Sequence, residues 1–394
     1  MFLLFLVSCR KALTIESTPT AEITPHLGII SPETATDIAQ NFFKMCYENV
    51  ENRDIAEQET VSENGKPYFY IFNYKQGGFL ILSAENGEMP ILANSTESKF
   101  PLKGDVNPGV GIWLLETHDR INDLRSGKIP LTEMAAHMWA DMKNHTYKSS
   151  FETVKAKPAQ LETRDKRELP RQWVCDPTSY LTSQMNALIY TTWGQGEYYN
   201  AQCPVAADGP DGHCVTGCMA TAMAQIMKYH NFPTANWNFN IMPSFGGLSS
   251  YNSEVANLML NCGIDLGMSW GSDKSGTSAS GEKAFEHNGY STDTRCDSYN
   301  DATTIAYIRW GMPVLLSGYT SETCIFSFCF GSGKGHGWIG DGYRTYYNSC
   351  YGESTQIHMN WGWDGLLNGY YRSPDPLPTS DYRYKRTMLF NIHP

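Results

Sequence analysis

The stretch Gly212-His213-Cys214-Val215-Thr216-Gly217-Cys218-Met219-Ala220-Thr221-Ala222-Met223-Ala224-Gln225-Ile226-Met227 reads as a tight turn that delivers a cysteine onto the first turn of a helix. Gly217 permits the sharp approach and Thr216 is placed to cap. Met219 to Met227 holds no Gly or Pro and is rich in helix formers. A thiol at a helix N-terminus feels the positive end of the macrodipole, which favours the nucleophilic thiolate. Cys218 is therefore the candidate nucleophile. A buried cysteine also packs as a small hydrophobe, so a partner base has to decide the reading.

That partner is found downstream in Gly333-Lys334-Gly335-His336-Gly337-Trp338-Ile339-Gly340-Asp341-Gly342. Met312 to Ser317 reads as a buried strand, and Trp338-Ile339 begins another. His336 sits at that strand's start, between residues without side chains, where backbone or substrate approaches closely. Gly335, Gly337 and Gly217 are the expected substrate-lining positions. Ile357-His358-Met359-Asn360-Trp361-Gly362-Trp363-Asp364-Gly365 then reads as a strand running into a glycine-rich turn. Asn360 is expected to hold the far imidazole nitrogen and Trp361 to shield the pair from water. Cysteine, then histidine, then asparagine is the chain order of papain-like nucleophilic catalysis. His358 is the second choice for the base.

Upstream lies Thr192-Trp193-Gly194-Gln195-Gly196. A glutamine in a glycine-flanked loop is suited to aim its amide at a developing oxyanion, with the Cys218 backbone N–H as second donor.

Taken together, Thr216-Gly217-Cys218, the run Ala224 to Pro233, Gly335-His336 with Asp341-Gly342, and Asn360-Trp361-Gly362-Trp363 with Gly365 resemble the streptopain family of secreted bacterial cysteine proteases. The resemblance runs in order from about Thr191 to the C-terminus. It implies an α+β papain-like fold, with a cysteine-bearing helical half and a β-rich half, preceded by a smaller α+β inhibitory prodomain. It also implies endopeptidase activity on protein and peptide substrates, with Cys218 as nucleophile, His336 as base, Gln195 at the oxyanion, and Asn360 and Trp361 orienting and shielding. Asp208 to Cys214 and Arg344 to Gln356 stand as insertions relative to the family.

Composition agrees with an exported two-domain enzyme. The 394 residues suffice for two domains, and 41% hydrophobic with 13% aromatic residues supports a sizeable core. A net charge of −11 gives no reason to expect nucleic acid or an anionic membrane as partner. No internal apolar run is long enough to span a bilayer. The opening Met1 to Cys9 is short and apolar and ends in Leu6-Val7-Ser8-Cys9, the form of a lipoprotein cleavage box with Cys9 as lipid-anchor residue, although basic residues before it are missing. Eleven cysteines fit an exported protein with one or two disulfides. Cys203–Cys214 is the first candidate, and Cys350 with Cys324 or Cys329 the next. His213, Cys214 and Cys218 lack the second ligand pair that structural zinc wants, so no metal or other cofactor is expected.

The chain divides into an export segment (1–17), a prodomain (18–147), an activation linker (148–168) and a peptidase domain (169–394). In the prodomain, Pro32 to Glu48, Val110 to Leu124 and Leu131 to Lys143 read as helices. Pro67 to Tyr74 and Gly78 to Ser83 read as a hairpin, and Met89 to Ala93 as a further strand. This unit reads as independent, and its hairpin resembles the family's propeptides. The linker is polar and without apolar periodicity, a natural site of cleavage. The competing function classes are a catalytically silent surface-binding protein on the same fold, and an amidase or transferase using the same acyl-thioester chemistry.

Overall fold

The computed structural model describes residues 24–47, 50–147, 180–330, 335–348, 350–373 and 384–394. Met1 to Cys9, the linker 148–168 and the glycine-rich loop 331–334 lie outside the described residues. The N-terminal unit runs α1 (Pro32–Cys46), β1 (Ile55–Glu63), β2 (Lys66–Tyr74), β3 (Phe79–Ser83), β4 (Ile91–Ser95), β5 (Gly104–Asp105), α2 (Pro108–Arg125) and α3 (Glu133–Lys143). The C-terminal part first adds β6 (Tyr180–Met185), α4 (Cys218–His230), α5 (Ser253–Asp265), α6 (Gly281–His287), β7 (Arg295–Ser298) and α7 (Asp301–Arg309). It closes with β8 (Val314–Tyr319), β9 (Cys324–Ile325), β10 (Phe328–Cys329), β11 (Gly335–Asn348), β12 (Gly352–Asn360), β13 (Gly369–Arg372) and β14 (Thr387–Phe390).

The expected helices and hairpin are present. Ser31 caps α1 through its hydroxyl, Asn107 caps α2 and Thr132 caps α3, each taking a backbone N–H of the first turn. The sequence reading missed β1, an edge strand on which only Val61 is buried, so that its polar residues carry no alternating signal.

The larger correction concerns independence. Strand β4 pairs antiparallel with β13, placing Tyr370 opposite Asn94 and Tyr371 opposite Ala93. One sheet therefore runs β1-β2-β3-β4-β13-β12-β11-β8-β14-β7 across both parts of the chain. The core beneath it is shared as well: Phe69, Val110 and Trp113 pack in one cluster with Trp338, Trp361 and Tyr371. A second cluster sits under α1 and α3, and a third fills the helical half around α4 and α5. In that third cluster Met223, Ile226 and Met227 are fully buried. Each contributes about 1.5–3 kcal/mol of burial, which anchors the helix that carries Cys218.

Charged groups cross the seam. Glu88 is buried between Arg120 of its own unit (2.6 Å) and Arg372 on β13 (2.7 Å). Burial pushes its carboxyl up, but the two guanidinium groups outweigh that and hold it below the usual range. Glu116 on α2 meets Arg386 at 3.2 Å, and here burial wins, so its carboxyl is raised. Arg344 reaches the Tyr47 hydroxyl (3.0 Å) and Asn94 Oδ1 (3.1 Å). The segment Arg344 to Gln356, read as an insertion, is the hairpin end of β11 and β12, with Arg344 opposite Gln356 and Asn348 opposite Gly352.

The disulfide expectations are corrected. Cys324 and Cys329 bond to each other across the β9–β10 turn, and Cys350 is in a disulfide with neither of them. Cys203 and Cys214 are both free and buried, although the strand contact between Val205 and His213 brings the ends of their loop together.

Candidate active site

Gly217 stands at the helix N-cap with φ +88°, a conformation that favours glycine, and makes no side-chain cap. Thr216 does not cap as expected; its hydroxyl bonds that of Thr221 at 2.8 Å. Cys218 is then the first helical residue, where backbone N–H groups have no intrahelical partner. Helix α4 lies against β11. The Gly337 N–H donates to Cys218 Sγ at 3.2 Å. Space for that approach exists because Gly337 has no side chain: a Cβ there would sit 2.2 Å from Met219 Sδ. Similarly, a Cβ on Gly217 would meet Met268 at 2.7 Å. These two of the three expected substrate-lining glycines thus make room for the surroundings of Cys218, while Gly335 is exposed at the open end of β11.

His336 hydrogen-bonds to the thiol. Burial pushes the Cys218 thiol up, but the charge and hydrogen bond of His336, with the Gly337 and Met219 N–H groups, outweigh it and leave the thiol below its ordinary value. The far nitrogen of the ring, Nε2, lies 3.2 Å from the Trp361 carbonyl oxygen. A carbonyl only accepts, so Nε2 carries a proton and Nδ1 is left to the thiol.

The partner of that far nitrogen differs from the expectation. Asn360 does not hold the imidazole: its Nδ2 donates to the Thr191 carbonyl (2.9 Å) and to Gln225 Oε1 (3.3 Å), and its Oδ1 accepts the Gly362 N–H (3.2 Å). Asn360 shapes the turn after β12, and the turn supplies the acceptor as a backbone carbonyl. Trp361 itself is 1% exposed, and its indole donates to the Leu367 carbonyl at 3.0 Å. It packs 5.2 Å from Trp338, which stacks with His336 at 6.2 Å. His358, the second-choice base, is engaged elsewhere, 2.6 Å from Asp341 Oδ1.

Gln195 is beside the cysteine because its carbonyl accepts the Thr216 N–H at 3.0 Å. Its side-chain amide points across to the Gly362 carbonyl at 3.4 Å, a long contact that leaves the amide open to a better acceptor.

The site is covered. The first turn of α2 lies on it: a Cβ on Gly109 would fall 2.6 Å from Trp361 Cζ3 and 2.8 Å from His336 Cδ2. Glycine at this position is what lets the N-terminal unit seat on the imidazole. A cavity of about 700 Å³ along the same seam is lined by Tyr47, Ser98, Tyr190, Phe245, His358 and Leu366, among others. Among the described residues, no three His, Cys, Asp or Glu side chains gather as metal ligands.

A polarised thiol at a helix start, an oriented imidazole on a facing strand and an α+β two-part fold define a papain-like cysteine peptidase. Residues 193–246 and 234–371 match the model of the Peptidase C10 family, and residues 28–121 match that of the Spi protease inhibitor. The chain is a cysteine-type peptidase, with the Peptidase C10 match over residues 193–371 and an inhibitor-like unit before it. It is similar to streptopain of Streptococcus pyogenes, 24% identical over 354 residues, spanning 77% of this chain and 73% of streptopain. It is also similar to the thiol protease/hemagglutinin PrtT of Porphyromonas gingivalis, 24% identical over half of this chain and a quarter of that protein. The structure of a Prevotella intermedia prointerpain A fragment shares the fold, with a TM-score of 0.53 at 21% identity, covering 84% of this chain and 97% of that fragment.

Proposed function

We propose that this chain is the zymogen of a secreted cysteine endopeptidase, in which residues 18–147 act as inhibitory prodomain, 148–168 as activation linker and 169–394 as the peptidase. The observation that carries this is the Cys218–His336 pair with Gly109 of the N-terminal unit seated on the imidazole. In the active form, Cys218 Sγ attacks the peptide carbonyl carbon and the carbonyl oxygen becomes an oxyanion between Gln195 Nε2 and the Cys218 N–H. His336 then gives its Nδ1 proton to the departing amine, leaving a thioester on Cys218. Water adds to that thioester, His336 takes the water's proton, and the carboxylic acid leaves as the thiol is restored. The Trp361 carbonyl fixes the ring through both steps. The apolar start Met1 to Cys9 supports export, with Cys9 as an anchor residue, and no described helix is long and apolar enough to cross a membrane.

The test follows the mass of the chain from Arg10 onward, as wild type and Cys218→Ala, under reducing conditions. The expected result is that only the wild type shortens, to a product beginning between Tyr147 and Trp173, and then cleaves peptides. Hydrolysis by Cys218→Ala would overturn the assignment.

A further inference from the structure

Asp364 follows the Asn360-Trp361-Gly362-Trp363 run and adopts φ +51°, a left-handed conformation that Asp tolerates better than most residues. Its carboxylate turns inward. Oδ2 lies where a side chain on Gly194 would be, 2.1 Å from that position, and Oδ1 lies 3.6 Å from the corresponding position on Gly247. It hydrogen-bonds to Tyr199, whose ring is 2% exposed. The Tyr199 oxygen already accepts the Leu248 N–H at 2.7 Å, so its own proton goes to Asp364. Among the described residues no Lys or Arg ion pair reaches this carboxylate. Burial accordingly pushes its carboxyl up.

Asp364 is exposed as a whole, yet its carboxylate is laid against Gly194 rather than out into water. What it joins gives the reason. Gly194 precedes Gln195, and Asp364 follows the turn whose first carbonyl holds His336. The neighbouring contacts point the same way: a Cβ on Gly365 would meet Thr192 at 3.0 Å, and Gln195 Nε2 reaches the Gly362 carbonyl. Tyr199 in turn closes the loop that starts at Gly196, through its N–H to the Gly196 carbonyl at 3.1 Å.

We propose that Asp364 is a positioning residue that, through Tyr199, clamps the Gln195 loop to the Trp361–Leu367 loop and so sets the oxyanion donor against the thiolate–imidazole pair. This rests on the assignment of Cys218, His336 and Gln195 given above. Asp364 touches no reacting atom; it fixes the distance between the two loops that do.

The test uses the processed enzyme from the full chain, as wild type, Asp364→Ala, Asp364→Asn, Tyr199→Phe and the Tyr199→Phe/Asp364→Ala double variant. Two readouts are taken: peptide hydrolysis, which needs the oxyanion donors, and alkylation of Cys218 by iodoacetamide, which needs only the thiolate. Asp364→Ala is expected to lower kcat about 10–100-fold with KM within about twofold, while the alkylation rate stays at the wild-type level. Asp364→Asn, which still accepts from Tyr199 and tolerates the backbone, is expected to restore most of kcat. Tyr199→Phe should resemble Asp364→Ala, and the double variant should lose no more than either single one. Equal loss of hydrolysis and alkylation, an unchanged kcat, or additive losses would overturn the clamp while leaving the Cys218 chemistry intact. Hydrolysis that survives Cys218→Ala overturns the underlying reading, and the clamp with it.

Discussion

The candidate catalytic centre and the seam with the N-terminal unit are both assembled from distant parts of the chain, but from opposite materials. At the centre, one thiol and one imidazole are set by backbone groups: the Gly337 N–H on Sγ and the Trp361 carbonyl on Nε2. Glycines make the approach possible. At the seam, side chains carry the contact, with Glu88 between two arginines, Glu116 on Arg386 and Arg344 on Tyr47 and Asn94. The difference teaches where each region is vulnerable. The centre is sensitive to added atoms, the seam to lost charges.

The seam's largest effect is expected at Glu88. Glu88→Gln leaves Arg120 and Arg372 buried without their anion, at a cost of about 3–5 kcal/mol. Urea unfolding of the full chain in the Cys218→Ala background, which removes self-cleavage, measures it. The sign with pH separates Glu88 from Glu116. The lowered carboxyl of Glu88 contributes stability above its unfolded value, near 4.3, and that contribution is lost only as pH falls through the lower folded value. The raised carboxyl of Glu116 favours the folded state when protonated, and this advantage is lost as pH rises through the raised value. At neutral pH, Glu116→Gln should therefore cost less than Glu88→Gln. Equal costs would mean that the seam does not depend on these charges as described.

The centre is tested in the opposite direction, by adding one carbon. Gly109→Ala places a methyl group against the rigid Trp361 ring and the His336 edge. Overpacking of this kind costs about 1–3 kcal/mol, against a gain in helix propensity of up to about 1 kcal/mol. The net expectation is a loosened cover and faster shortening of the wild-type chain, followed by mass. Slower or unchanged shortening would show that α2 does not restrain the site through this contact.

The same contrast explains what the sequence made legible. Cys218, His336 and Gln195, which the structure brings together, could be singled out because the proposed chemistry requires particular side chains, and glycines mark where backbones close in. The imidazole's acceptor was not readable, because a carbonyl belongs to every residue. Asn360 has the right type and place for the role, yet it spends its amide on Thr191 and Gln225. The pairing of β4 with β13 was hidden for a related reason: strand edges bond through backbone groups that leave no mark on composition. Glu88 follows Ala84-Glu85-Asn86-Gly87, and the two arginines that enclose it, Arg120 and Arg372, come from different parts of the chain. For Asp364 a signal did exist. An acid in a glycine-rich turn at the end of a catalytic strand invites the question of what its side chain holds.

The smallest effect probes where centre and seam meet. Ser98 Oγ of the N-terminal unit donates to the Gly365 carbonyl at 2.8 Å, so the seam touches the loop that carries Asp364. That loop also has bonds of its own, Leu366 N–H to the Trp363 carbonyl at 2.8 Å and Asn368 N–H to the Gly365 carbonyl at 3.2 Å. If these internal bonds and the Tyr199 contact fix its shape, Ser98→Ala should cost the full chain about 0.5–1.5 kcal/mol. The processed enzyme, which has lost Ser98, should have the same kcat whichever residue stood there. A processed enzyme whose kcat depends on the residue once present at position 98 would mean that the N-terminal unit imprints the loop during folding. The centre would then inherit its geometry from the seam.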